Sequence, residues 1–282
     1  MKDLELLAGT LHRDGEDIYW ELVRDAEAGK ADQRPVVVLS HGAGGSHAVW
    51  YQQVLEVGAK YRVLTWDSRG FGNSTNHTGQ LTATDGAHDL AAVLDHLEIA
   101  DAHLVGQSMG GWHISAFLQH YTERTCSLTY ANTAGALWTD DLRKAMEEFG
   151  AAGGLRGNRE LPLVGGHLAL WTGDPDRDVA HAFLYQALGS FYSPPLDRLG
   201  ETLAFEIDHA DFDDLDIPVL FIAGEYDQIF PASMLRDSAN RIRGAHFVEI
   251  PDAGHSPYFE QPQAWNAALL DFLASIDASA AS

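Results

Sequence analysis

Three residues set far apart in this chain have the side-chain types that acyl transfer requires: Ser108, Asp227 and His255. Ser108 stands in Leu104-Val105-Gly106-Gln107-Ser108-Met109-Gly110-Gly111, where apolar residues give way to glycines around one hydroxyl. A serine hydroxyl is a weak nucleophile until a neighbouring base takes its proton and an acid orients that base. Fourteen histidines compete for the role of base. His255 differs from most of them, because Gly254 and Ser256-Pro257 place it in a loop after an apolar run. His41 is the second candidate, although its glycine neighbours suit a loop brace better than a proton carrier. His113 falls on the helical pattern after Ser108, on a face turned away from it. Asp227, following Gly224, is the best orienting acid; Glu225 lies nearer the strand end and reads as a loop or salt-bridge residue. Asn132, at the other possible acid position, has no charge to offer.

These side chains need a scaffold that brings strand ends together. Asp14-Gly15 separates Leu6–Leu11 from Ile18–Arg24, the pattern of a hairpin. Short apolar runs follow at Pro35–Leu39, Tyr61–Trp66, Ala102–Val105, Ser127–Ala131, Pro218–Ala223 and His246–Ile250. Helical patterns separate them at Trp50–Lys60, Thr82–Leu97, Met109–Tyr121, Ala232–Arg241 and Gln261–Ile276. Alternation of this kind predicts an α/β fold: a mainly parallel sheet of about eight strands with helices on both faces. Chemistry in such sheets collects at the carboxyl ends of the strands, where Ser108, Asp227 and His255 all fall.

The rhythm stops between about Ala134 and Asp208. Glycines punctuate this stretch, and Trp138, Phe149, Trp171, Phe183, Tyr185, Phe191 and Tyr192 crowd it with aromatics. It reads as a helical cap (134–208) inserted into a core made of 1–133 and 209–282, roofing an apolar pocket.

Composition narrows the partners. The formal net charge of −23 and a pI near 4.7 argue against nucleic acid or an anionic membrane surface, leaving a small-molecule substrate. Cys126 is the one cysteine, so no internal disulfide forms and a cytoplasmic location is expected. The N-terminal residues lack an apolar signal region, and no run approaches the ~20 apolar residues of a spanning helix. Gly42-Ala43-Gly44 with Asp67 imitates a dinucleotide fingerprint, but His47 occupies the third glycine position and no phosphate-loop Gly-Lys-Ser/Thr follows. No metal-ligand motif is present, and no cofactor is expected. A monomer or homodimer is expected.

Four motifs together resemble the α/β-hydrolase superfamily over nearly the whole chain: His41–Gly44, Asp67–Ser74, Gly106–Gly111 and Gly254–Pro257. The order Ser108, Asp227, His255 is also that of the superfamily. The resemblance implies an α/β-hydrolase fold with Ser108, Asp227 and His255 as a catalytic triad. It also implies an oxyanion hole made by the backbone N–H groups of Ala43 and Met109. Asp67 and Arg69 match a loop that is usually structural. Substrate contacts are expected from His41, Trp138 and Trp171. The dehalogenases and epoxide hydrolases of this fold need an aspartate where this chain has Ser108. The chain is most similar to small serine carboxylesterases and enol-lactonases, which implies cleavage of a small ester or lactone. Carbon–carbon hydrolysis of a diketone-type substrate, and a ligand receptor with little turnover, are the alternatives.

Overall fold

The computed structural model describes residues 3–151, 169–170, 179–189 and 198–280. Its first two strands, β1 (Leu4–Arg13) and β2 (Glu16–Asp25), pair antiparallel with Arg13 opposite Glu16. The two-residue turn between them has positive φ at Asp14 (50°) and Gly15 (83°). That is the mirror-image turn whose twist suits a tight hairpin, and it explains the Asp-Gly pair.

Six further strands complete one eight-stranded sheet: β3 (Val36–Ser40), β4 (Arg62–Trp66), β5 (Ala102–Gln107), β6 (Thr125–Ala131), β7 (Val219–Gly224) and β8 (His246–Ile250). Their order is β1-β2-β4-β3-β5-β6-β7-β8. Every pairing from β4 to β8 along that order is parallel, whereas β2 pairs antiparallel with both β1 and β4. Each apolar run read from the sequence became a strand, with ends displaced by a residue or two.

Both faces of the sheet are covered. Val36 and Val38 of β3 join one apolar cluster with α2 (Ala83–His96), α3 (Gly110–His120) and α7 (Ala232–Asn240). Val37 and Leu39, pointing the other way, join a second cluster with α1 (Val54–Gly58) and α9 (Pro262–Ala280). A strand buried on both faces has no polar side to show, which is why β3 is apolar throughout up to its final serine. No helix among the described residues is long and apolar enough to cross a membrane.

Between β6 and β7 the chain forms α4 (Asp140–Ala151), α5 (Val179–Leu188) and α6 (Leu199–Leu203). A single parallel bridge pairs Leu137 with Ile207, pinning the start of this stretch to its end. A short helix, α8 (Pro257–Glu260), follows the loop after β8.

Candidate active site

The turn from β5 into α3 holds Ser108 at φ +50°, a conformation that a residue with a β-carbon adopts at a cost. Its backbone is fixed on both sides: the Ser108 amide donates to the Ala131 carbonyl (3.1 Å), and the Gly111 amide donates to the Ser108 carbonyl (2.9 Å). A β-carbon on Gly106 would lie 2.5 Å from the Gly110 carbonyl oxygen, and one on Gly110 would strike the Ser40 carbonyl. The glycines therefore let α3 start directly against β5 and β3. That close start raises the serine above the sheet edge.

Asp227 lies in the turn after β7, and its side chain is fully buried. One oxygen, Oδ1, accepts the amides of Ile229 (2.8 Å) and Phe230 (2.9 Å). The other, Oδ2, accepts from His255 Nδ1 (2.9 Å) and Asn132 Nδ2 (2.9 Å). A carboxylate needs a donor, so this contact places the imidazole proton on Nδ1 and leaves the lone pair on Nε2. The Phe230 ring stacks near His255, with centroids 5.8 Å apart. Glu225 is exposed, and its carboxylate takes the Asp252 amide (3.2 Å).

Ser108 and His255 line one cavity of about 260 Å³. No hydrogen bond joins Ser108 Oγ to the imidazole in this structure; such contacts commonly tighten only when substrate is bound. The Gly42–Gly45 loop and Met109 form another side of the cavity. Among the described residues, neither the Ala43 amide nor the Met109 amide donates to a protein acceptor. Apolar walls come from Trp112 of α3, Met146 and Phe149 of α4, and Leu199 and Leu203 of α6. Two of these three helices belong to the stretch between β6 and β7.

His41 is elsewhere. It is fully buried beneath its loop, where Nδ1 meets the Gly42 carbonyl (2.8 Å) and Nε2 accepts the Ser68 amide (3.0 Å). It braces the loop and does not line the cavity, so the expectation of a substrate contact is corrected. Burial also pushes its pKa down, keeping it neutral. Trp138 is corrected likewise. It packs against Trp112 (centroids 5.8 Å apart), under the Arg143 guanidinium, one layer behind the wall. Trp171 lies outside the described residues.

Asp67 and Arg69 serve the surrounding loops. Asp67 Oδ1 accepts the His47 amide (2.6 Å), and Oδ2 accepts the Asn73 amide (2.8 Å). Burial is the largest single influence and opposes its charge, but the His47 and Asn73 hydrogen bonds and the neighbouring imidazoles together hold its pKa below the usual carboxylate range. Arg69 grips Asp89 with two bonds of 2.7 Å. The acid that imitated a ribose ligand is thus committed to its own loop.

Sequence reasoning missed two supports. Asn132, dismissed for lacking charge, donates to Asp227 and to the Gly254 carbonyl (3.3 Å), tying Asp227 to the loop of His255. Gln107, the variable residue before Ser108, donates to the His255 carbonyl (3.3 Å). Position at a strand end was the available signal for both.

Eight strands in this order, a strained serine at the β5–α3 turn and an acid–imidazole pair after β7 and β8 describe a hydrolase scaffold. A family model described as alpha/beta hydrolase fold matches residues 35–262, and the chain belongs to that family. It is 29% identical over 248 residues to 3-oxoadipate enol-lactonase 1 of Acinetobacter baylyi, covering 87% of this chain and 91% of that protein. A thermophilic esterase from Thermogutta terrifontis is similar in structure, with a TM-score of 0.71 and 25% identity over 96% of this chain and 99% of that one. The enol-lactonase from Burkholderia xenovorans LB400 shares the fold at a TM-score of 0.74 and 23% identity, over 94% and 100% of the chains.

Proposed function

We propose that this protein cleaves a small, uncharged carboxylic ester or lactone through an acyl-enzyme on Ser108. The observation that carries the reading is the sharing of one cavity by Ser108, at φ +50°, and His255, whose Nδ1 is held by the buried Asp227. Ser108 Oγ attacks the carbonyl carbon while His255 Nε2 takes its proton. The carbonyl oxygen becomes an oxyanion, for which the Ala43 and Met109 amides are the available donors. As the intermediate collapses, the bond to the leaving oxygen breaks and His255 returns the proton to it. Water then repeats the cycle in reverse, giving the acid and free Ser108.

The apolar walls support the substrate class. Met146, Phe149, Leu199 and Leu203 would gain by covering an uncharged acyl group and would leave a buried charge without solvation. The stretch between β6 and β7 acts here as a cap that chooses substrate, the core supplying the chemistry. Similarity to an enol-lactonase of 29% identity and to an esterase of 25% identity supports ester and lactone bonds.

Organophosphonate labelling followed by peptide mass spectrometry tests the nucleophile, with one adduct expected on Ser108. An adduct on another residue overturns the reading. A panel of activated esters, lactones and β-diketones, run on wild type and Ser108→Ala, tests the bond. Turnover of the diketones alone would replace ester cleavage with carbon–carbon hydrolysis.

A further inference from the structure

His181, Tyr185 and Gly189 recur every four residues along α5 and just past its end, so they share one face of the helix. Tyr185 and Gly189 of that face line the cavity. At one end the His181 ring stacks on Phe259 of α8, with centroids 4.2 Å apart and planes 15° apart. In the middle, Tyr185 Oη lies 2.7 Å from Ser256 Oγ, beside His255, and the Tyr258 hydroxyl hydrogen-bonds both. At the far end the Gly189 amide continues the helix to the Tyr185 carbonyl (3.1 Å). A β-carbon on Gly189 would stand only 3.0 Å from the Gly44 carbonyl. One helix face therefore rests on the loop of the base and on the loop that carries the Ala43 amide. Phe183 and Leu184 are exposed and make no part of this face.

We propose that Tyr185 is a positioning residue: its hydroxyl bond to Ser256 holds the His255 loop, so that α5 must be seated for the site to work. The proposal rests on His255 being the base. Tyr185 lines the cavity half-buried, and desolvation raises its pKa, so the phenol stays protonated and able to hydrogen-bond. Ser256 immediately follows His255 in the chain, leaving no flexible spacer between the tether and the imidazole. A helix from one region of the chain thereby sets the reactivity of a base from another, and substrate enclosure is tied to base alignment.

Tyr185→Phe removes the hydroxyl and keeps the ring in the wall; Ser256→Ala removes the other partner. Each is expected to lower kcat about tenfold on a small activated ester, the scale of one hydrogen bond, with KM within about twofold. The double variant is expected to fall well short of the product of the two single losses, because both delete the same contact, while Tyr258 bonds to each partner separately. Urea unfolding of all three checks that the fold persists. Full activity in either single variant overturns the proposal, as do effects that multiply in the double variant. A change confined to KM also overturns it, since Tyr185 would then touch substrate without aligning the base. His255→Gln, run beside them, separates the two readings: if it stays active, His255 is not the base. If it is inactive while Tyr185→Phe is normal, only the tether fails.

Discussion

The turns after β5, β7 and β8 and the helices α4 and α6 build one cavity by opposite means. At the strand ends, position comes from backbone: Ser108 is held by the Ala131 carbonyl, and Asp227 by two backbone amides. In α4 and α6, position comes from apolar packing by Met146, Phe149, Leu199 and Leu203. Backbone hydrogen bonds define one geometry, whereas apolar side chains of similar volume substitute for one another. The first region is suited to chemistry that tolerates no displacement, and the second to a choice of substrate that can be retuned.

The strongest way to break this contrast is at the strand ends. Ser108→Ala is expected to lower kcat on the order of 10⁴–10⁶-fold in a steady-state ester assay. Asp227→Asn is expected to cost about 10⁴-fold without unfolding the chain. Two amides claim the oxygen at Oδ1, so the new NH₂ group takes the place of Oδ2 and faces His255 Nδ1. The imidazole must then carry its proton on Nε2, where it cannot accept one from Ser108. Glu225→Gln is expected to stay within about twofold, as surface substitutions usually do. Reversal of the last two results would show that Glu225 is the orienting acid.

A second test sharpens the contrast through stability, because neutral imidazoles are buried in the core. Burial pushes His113 down to about 3, with His41 adding repulsion, and burial also lowers His41 and His103. The unfolded chain binds more protons than the folded one from about pH 6.5 downward. Stability is therefore full above that value and is lost as pH falls toward the folded pKa. By pH 5, His113 alone removes about 2 kcal/mol. His47 works in the opposite sense: its bonds to Asp67 raise its pKa against burial, so it gains stability as pH falls. Urea unfolding at pH 7 and pH 5 should show wild type losing more than His113→Asn. Equal losses would mean that His113 is not held neutral.

The same difference between regions explains what the sequence revealed. Every strand was legible, because apolar runs such as Val36–Leu39 have one way to be buried on two faces. The placement of Ser108, Asp227 and His255 at strand ends was legible because the glycines and short turns beside them are local signals. His41 was misplaced because a histidine in a glycine loop looks the same whether it faces a cavity or supports the loop. Its partner, the Ser68 amide, is 27 residues away. Trp138 was misplaced for a similar reason: aromatic density marks a wall but not which ring forms its inner layer. Tyr185 gave no sign of Ser256, 71 residues on, since a hydroxyl pair across a cavity leaves no spacing to read.

The smallest effect concerns the wall itself. Phe149 of α4 lines the cavity, whereas Trp138 does not line it and packs against Trp112, which does. Phe149→Ala removes a phenyl from the inner layer and enlarges the space open to an acyl chain. Pocket contacts of this size are worth about 1–3 kcal/mol, so kcat/KM for a hexanoate ester over an acetate ester should rise by about tenfold. Trp138→Ala leaves Trp112 in place and should alter the same ratio only about threefold at most, the scale of one contact in a second layer. Labelling of Ser108 by a small phosphonate should change by less than about twofold in both, because neither side chain is a hydrogen-bond partner of Ser108, Asp227 or His255. If Phe149→Ala slows acetate, hexanoate and phosphonate alike, α4 is holding the chemistry in place and the division between the two regions fails. If Trp138→Ala shifts the ratio more than Phe149→Ala does, the selecting surface lies in the outer layer and acts by moving Trp112.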